Sequence, residues 1–337
     1  MKKFNKEYFI NLCKQSQAGL LDYLPIKLNQ LGCTDVVCDE KYIFSHGNVP
    51  VMLVAHLDTV HKQAVKNVVV KGEIISSPQG IGGDDRCGVF MILYVLNQLA
   101  KKDIKPYVLF TTDEEIGGVG VAKFCKDYPV NECDIKFLIE FDRANAHDMV
   151  FYDCDTTEWK NYVGQQTGLV EALGSYTDIC DIMDTWKICG VNISCGYYNA
   201  HTTKEYVKFD EMISNAKLVI DWLMREKFEN TFVYESSWAG WGSKWSSYGY
   251  GWDDFDDDDT TLEYIVGNSG NRWFMCEDCG ALISEDEANN TLAEFGIALC
   301  GSCGDYYGGY IDSHEALSRP YKTYDEEDGV GIEDFYR

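Results

Sequence analysis

Val51-Met52-Leu53-Val54-Ala55-His56-Leu57-Asp58-Thr59 is the stretch on which the fold of this chain turns. A short apolar run bounded by Pro50 and a polar loop has the character of a fully buried strand in a parallel sheet. His56 and Asp58 stand two residues apart at its exit, so the period of a strand puts both on one face. A second strand of the same kind, Val108-Leu109-Phe110-Thr111-Thr112, runs into Asp113-Glu114-Glu115-Ile116-Gly117-Gly118. Between the two lies Gly80-Ile81-Gly82-Gly83-Asp84-Asp85-Arg86-Cys87-Gly88. It opens an apolar stretch (Val89, Phe90, Ile92, Leu93, Leu96, Leu99) at helical spacing, which predicts a helix buried over much of its surface. Ligands of open α/β sheets collect beyond the carboxyl ends of the strands. Here that place holds a histidine and several carboxylates.

Outward from this centre, residues 5–31 read as two helices, with Pro25 expected to kink or split the second. Short strands follow at 35–38 and 42–45, and a hairpin at 68–76 around Lys71-Gly72. Beyond the Val108 strand come a helix near 119–126 and a core strand, Ile135–Phe141, that ends at Asp142-Arg143. Residues 157–190 are mixed and helical in part, with Thr177-Asp178 near a helix start. Val191–Tyr198 reads as one strand that delivers His201, and Phe209–Lys227 as a long amphipathic helix. Strands alternating with helices predict a doubly wound, mostly parallel α/β sandwich.

The chain has 337 residues, enough for a main domain and an appendage, and 45% of them are hydrophobic. Its formal charge of −26 is uneven: residues 231–337 hold 23 Asp+Glu against 5 Lys+Arg, a net of −18, which leaves −8 for residues 1–230. Such a balance repels phosphate backbones and anionic lipid, so neither nucleic acid nor membrane is expected as a partner. The N-terminus lacks the apolar core of a signal peptide, and no apolar run approaches membrane-spanning length. Ten of the 14 cysteines are scattered through the α/β pattern, which predicts reduced, buried thiols and a cytoplasmic protein. The expected organisation is a catalytic domain over 1–230, a Trp/Ser/Gly-rich and acidic linker over 231–265, a small module over 266–310 and an acidic tail over 311–337. In the module, Cys276-x-x-Cys279 and Cys300-x-x-Cys303 are separated by 20 residues. Two such knuckles predict a ribbon-like module around one structural zinc. The acidic region beside it suits a protein partner.

Taken singly, the clusters near the strands have ordinary readings: a polar strand exit, a solvated acidic turn, a glycine turn with an N-cap. Their conjunction is different. His56, Asp84, Glu115, Asp142 and His201 all follow core strands or the loops between them. Two histidines and three carboxylates match a pair of Zn²⁺ ions, about 3.5–4 Å apart, that share a bridging aspartate. Glu114 is then free of the metals and beside them, where a general base is wanted. A site this rich in carboxylate also suits Mn²⁺ or Co²⁺.

The order and context of these residues resemble the co-catalytic di-zinc exopeptidases, the superfamily of peptidase T and the bacterial and vertebrate aminopeptidases. The matching stretches are "VAHLDTV", "GGDDRCG", "FTTDEEIGG", "IEFD" and "NAHTTKEYV". The resemblance implies that His56, Asp84 and Asp142 hold one zinc, and Asp84, Glu115 and His201 the other. It makes Glu114 the base and gives Asp58 the task of orienting a metal-bound histidine. The bridge falls to Asp84 by the spacing Asp-x-Lys/Arg-x-Gly, with Asp85 the alternative. Thr177-Asp178 resembles a Thr-Asp element found upstream of the last histidine in some members. The peptidase T group inserts a lid between the fourth and fifth ligands. Positions 142 and 201 are too close for one, as 56 and 84 are for the insertions of other members, so a lidless core with an open cleft is expected. The function implied is removal of terminal residues from short peptides, most simply as an aminopeptidase, by a metal-activated water with Glu114 as base. A deacylase using the same metals is the rival among enzymes, and a non-catalytic binding module acting through the ribbon and acidic tail is the rival outside them.

Overall fold

The computed structural model describes residues 4–61 and 65–236, and the short pieces 265–266, 272–275, 282–284 and 288–290. Two helices open the chain, α1 (Lys6–Cys13) and α2 (Gln17–Gln30), capped by the side chains of Asn5 and Ser16. β1 (Thr34–Cys38), β2 (Tyr42–His46) and β3 (Val49–His56) follow, then the hairpin β4 (Val69–Lys71) and β5 (Ile74–Ser76). Next come α3 (Gly83–Leu99), β6 (Pro106–Thr111), α4 (Val119–Asp127), β7 (Phe137–Arg143) and β8 (Asp148–Val150). The remainder of the core is α5 (Thr157–Thr167), β9 (Val170–Glu171), α6 (Asp178–Trp186), β10 (Cys189–Ser194), β11 (Tyr197–Tyr198), β12 (Tyr206–Lys208) and α7 (Phe209–Arg225).

The main sheet has the order β1-β2-β6-β3-β7-β10-β8-β9, and β6, β3, β7 and β10 are mutually parallel at its centre. From β3 the chain crosses one way to β6 through α3, then back past β3 to β7 through α4. Right-handed crossovers in opposite directions put the two helices on opposite faces. α3 packs with α1 and α7, and α4 with α6. Strands covered on both faces need no polar side, which is why Val51–Ala55 are all fully buried. The expected doubly wound, mostly parallel α/β sandwich is thus the fold found. Its reversal of direction at β3 opens a crevice between the ends of β3 and β7, where such folds bind ligands.

A second sheet, β11-β12-β5-β4, lies beside the first, and the β11–β12 connection carries His201. Residues 142–201, where a lid would be inserted, instead fold into elements of the two sheets and their helices. Two expectations need correction. Residues 191–198 are not one strand: Gly196, at φ +77°, turns the chain between β10 and β11, which belong to different sheets. Pro25 does not split α2, because Leu20, Leu24 and Leu28 anchor the helix in the core on both sides of it. All ten described cysteines are free thiols, six of them buried; Cys38 is exposed.

The chain divides into two units, Met1–Tyr250 and Gly251–Arg337. In the second, β13 (Ile265–Val266), β14 (Arg272–Met275) and β15 (Leu282–Ser284) pair as an antiparallel sheet. Cys276, Cys279, Cys300 and Cys303, like most of the expected linker and the whole of the acidic tail, lie outside the described residues.

Candidate active site

The exit of β3 fixes one corner of the site. His56 is buried, and its Nδ1 lies 3.1 Å from Asp58 Oδ1. The same Asp58 carboxylate accepts the backbone N–H groups of Glu114 and Glu115, both at 3.0 Å. Asp58 therefore orients the histidine and ties the end of β3 to the segment after β6. Glu114 and Glu115 sit in a turn, closed by the Gly117 and Gly118 amides on the Glu114 carbonyl at 2.9 and 3.0 Å. Both glutamates therefore take their backbone from that turn and not from a strand, since β6 ends at Thr111.

Asp84 stands where the other groups converge. It begins α3 with a non-helical backbone (φ −81°, ψ 103°), which turns its carboxylate toward the strand ends. Oδ1 is 3.0 Å from His56 Nε2, and Oδ2 is 3.2 Å from His201 Nε2. His201 Nε2 is also 3.2 Å from Glu115 Oε2, and His56 Nε2 is 3.4 Å from Asp142 Oδ1. Asp142, on β7, is steadied by the Thr177 hydroxyl (2.9 Å) and by its own amide donating to Asn192 Oδ1 (2.8 Å). Asp85 is occupied otherwise: its oxygens accept the amides of His56 (3.2 Å) and Gly88 (2.8 Å). Asp178 accepts the Thr111 hydroxyl. Donor atoms of His56, Asp84 and Glu115, and of His56, Asp85 and Asp142, lie within 4.8 Å of one another. Glu115 Oε1 is buried with no hydrogen-bond partner, as a group awaiting a cation would be.

Electrostatics agree with that crowding. Burial opposes charge on His56, but Asp142, Asp58 and Asp84 outweigh it and its pKa is raised. Hydrogen bonds to Asp84 and Glu115 lift His201 to about 11. Asp84, despite burial, is held well below the usual carboxylate range by the two histidines. Burial, reinforced by Asp84, raises Asp142 to about 6. Burial also lifts Glu114 to about 9, with Asp142, Asp178 and Glu115 adding to it against the pull of His56. So many carboxylates at such short range need cations to balance them. The donor set, hard carboxylate oxygens with two imidazoles, fits zinc.

A cavity of about 200 Å³ opens onto this cluster. Beside Asp84, Glu114, Glu115, Asp142 and His201 it is lined by Arg143, Ala144, Tyr152, Gly174, Ser175 and Tyr176. All five ligand-type residues and Glu114 are thus brought together. His147, five residues after Asp142, is exposed and does not line this cavity, while His61 is bonded to Glu205 at 2.8 Å. Sequence reasoning missed Glu205, Asn192 and Tyr152. A polar Asn192 inside an apolar strand was the available signal for one of them; Tyr152 gave none.

Residues 43–173 match the model of peptidase family M28, a span that holds every site residue named above as far as Asp142. No curated protein sequence matches the chain. Among solved structures, aminopeptidase PepT from Bacillus cereus aligns over 64% of this chain and 96% of its own, with a TM-score of 0.53 at 14% identity. A tripeptidase from Staphylococcus aureus gives 64% and 96%, with 0.52 at 16%. An aminopeptidase from Desulfurococcus kamchatkensis gives 66% and 95%, with 0.52 at 12%. At these identities the structures speak for the fold, and the family match for the chemistry. The family match over residues 43–173 and the site together support a metallopeptidase core that uses zinc, and its fold is the one these solved exopeptidase structures share.

Proposed function

We propose that this chain is an aminopeptidase acting on short peptides. His56, Asp84 and Asp142 hold one zinc in this reading, and Asp84, Glu115 and His201 the other. The observation that carries it is Asp84, whose two oxygens face the two histidines separately. When bound, a zinc pair polarises the scissile carbonyl and lowers the pKa of a water between the ions. Glu114 lines the cavity, and no ligand role is assigned to it. It is the group left to accept the water's proton and return it to the leaving amine. Asp58 keeps the His56 ring oriented and sets the backbone of both glutamates.

One thing favours the N-terminal end of a peptide: solved structures of this fold include an aminopeptidase and a tripeptidase. Mn²⁺ or Co²⁺ could replace zinc in such a site. In the same reading 1–230 is the catalytic domain of a cytoplasmic enzyme and 231–265 a linker. Cys276, Cys279, Cys300 and Cys303 hold a third, structural zinc in the 266–310 module. The first two fall in sequence between the antiparallel strands β14 and β15, the place of a zinc knuckle. The acidic tail, 311–337, is left for a protein partner.

The zinc-loaded chain should cleave tripeptides with a free N-terminus and leave their N-acetylated forms intact. Equal cleavage of both would remove the aminopeptidase reading, and turnover confined to N-acyl amino acids would establish a deacylase.

A further inference from the structure

We propose that Glu205 is a positioning residue: it clamps the loop that carries Asp84 to the loop that carries His201, and so sets the distance between the two metals' ligands. This rests on the two-metal reading above.

Glu205 is fully buried, four residues after His201. Three donors converge on its carboxylate. Oε2 accepts the Gly82 amide at 2.7 Å and lies 2.8 Å from His61 Nε2, while Oε1 accepts the Asp84 amide at 3.0 Å. The loop has reason to need such a partner. Gly80 and Gly82 have positive φ, and Asp84 is extended, so the segment cannot supply helical acceptors for its own amides. The carboxylate replaces them. At the other end, the Glu205 amide donates to the Thr202 carbonyl (3.1 Å) and the Thr202 hydroxyl to the Asn199 carbonyl (2.8 Å). One compact turn therefore carries both His201 and the clamp. A buried carboxylate is costly unless its oxygens are satisfied, and these three donors offset that cost. Gly83 closes the arrangement: a Cβ there would lie 2.8 Å from Tyr197 and Val207 and 3.2 Å from Glu205 Oε1. The loop backbone is thus pressed against the strands that flank His201. Removing the carboxylate should free the Asp84 backbone while leaving the metal ligands themselves intact.

The test uses the full chain and the variants Glu205→Ala and Glu205→Gln, the second keeping size and one acceptor oxygen if the first does not fold. In the metal-free proteins, amide hydrogen exchange is read by NMR at Gly82 and Asp84, with His56 and Gly88, whose amides bond to Asp85, as the internal reference. The expected result is loss of protection at Gly82 and Asp84 alone. Chelator competition should then show active-site zinc bound on the order of 10–100-fold more weakly, the usual effect of losing a group that orients a ligand. Excess zinc should restore kcat with the peptide KM unchanged. Unchanged protection at Gly82 and Asp84, or unchanged zinc affinity in a folded variant, would overturn the clamp. A wild-type chain that binds no active-site zinc would instead overturn the two-metal reading, because the exchange measurement needs no metal.

Discussion

Asp84 and Asp85 carry the same side chain at adjacent positions and do opposite work. Asp84 meets both histidines and is held acidic by them; Asp85 caps two backbone amides, and burial drives its pKa up. Substitution should separate the glutamates in the same way. Glu115→Gln removes a carboxylate beside His201 and should lower metal occupancy, with activity partly recovered by added zinc. Failure of zinc to recover any activity would place Glu115 outside the metal set. Proton balance gives a second expectation. In the metal-free chain Glu114 (about 9), Asp142 (about 6), Asp178 (about 7) and His201 (about 11) all have raised folded-state pKa values. The folded state then binds more protons than the unfolded chain. Stability from these groups is full below their unfolded pKa values and is lost as pH rises through the folded ones. Asp58 and Asp84, whose pKa values are lowered, act the other way, but their contribution is complete above the usual carboxylate range. The urea midpoint of metal-free protein should therefore fall between about pH 5 and about pH 9. Zinc binding at neutral pH should release protons, measurable by calorimetry in buffers of different ionisation enthalpy. A midpoint that rises over that interval would contradict the shifts. At this scale the sequence revealed which residue types were present and in what order. Which of two adjacent aspartates turns inward came only from the spacing of the resembling family, because the residues themselves do not reveal the backbone conformation at the head of α3.

Elements were legible where burial leaves a period. β3, β6 and β7 are covered on both faces and read as unbroken apolar runs, and α7 shows its apolar stripe. β8 and β9 are three and two residues long, too short for any pattern, and went unread. The break between β10 and β11 was hidden because apolar residues continue across Gly196. The contact of α3 with β7 is equally silent in sequence, yet it is tight. A Cβ at Gly88 would lie 1.9 Å from the Phe141 carbonyl and 2.5 Å from the Asp85 carboxylate. Gly88→Ala must push the helix off the strand that carries Asp142, at a cost of about 1–3 kcal/mol or more. Urea unfolding of the metal-free variant measures it; a change below about 0.5 kcal/mol would mean that the contact relaxes freely.

For the whole molecule, charge and cysteine spacing divide the labour. The acidic excess is concentrated after residue 230, and so are the two Cys-x-x-Cys pairs. Cys276→Ser combined with Cys279→Ser should remove one zinc per chain and leave peptide hydrolysis by the core unchanged; undiminished zinc content in that variant would refute a four-thiolate site. The separation of the five ligand-type residues over positions 56–201 could be read only as a conjunction, and their meeting depends on the direction reversal at β3. The clamp by Glu205 follows from side-chain contacts that no spacing encodes. The most direct measurement is tripeptide turnover by Glu114→Gln, with zinc counted in the same sample. Wild-type zinc content with turnover lower by roughly 10²–10⁴-fold is the expected result; near-normal turnover with both active-site metals bound would contradict Glu114 as the base and, with it, the proposed mechanism.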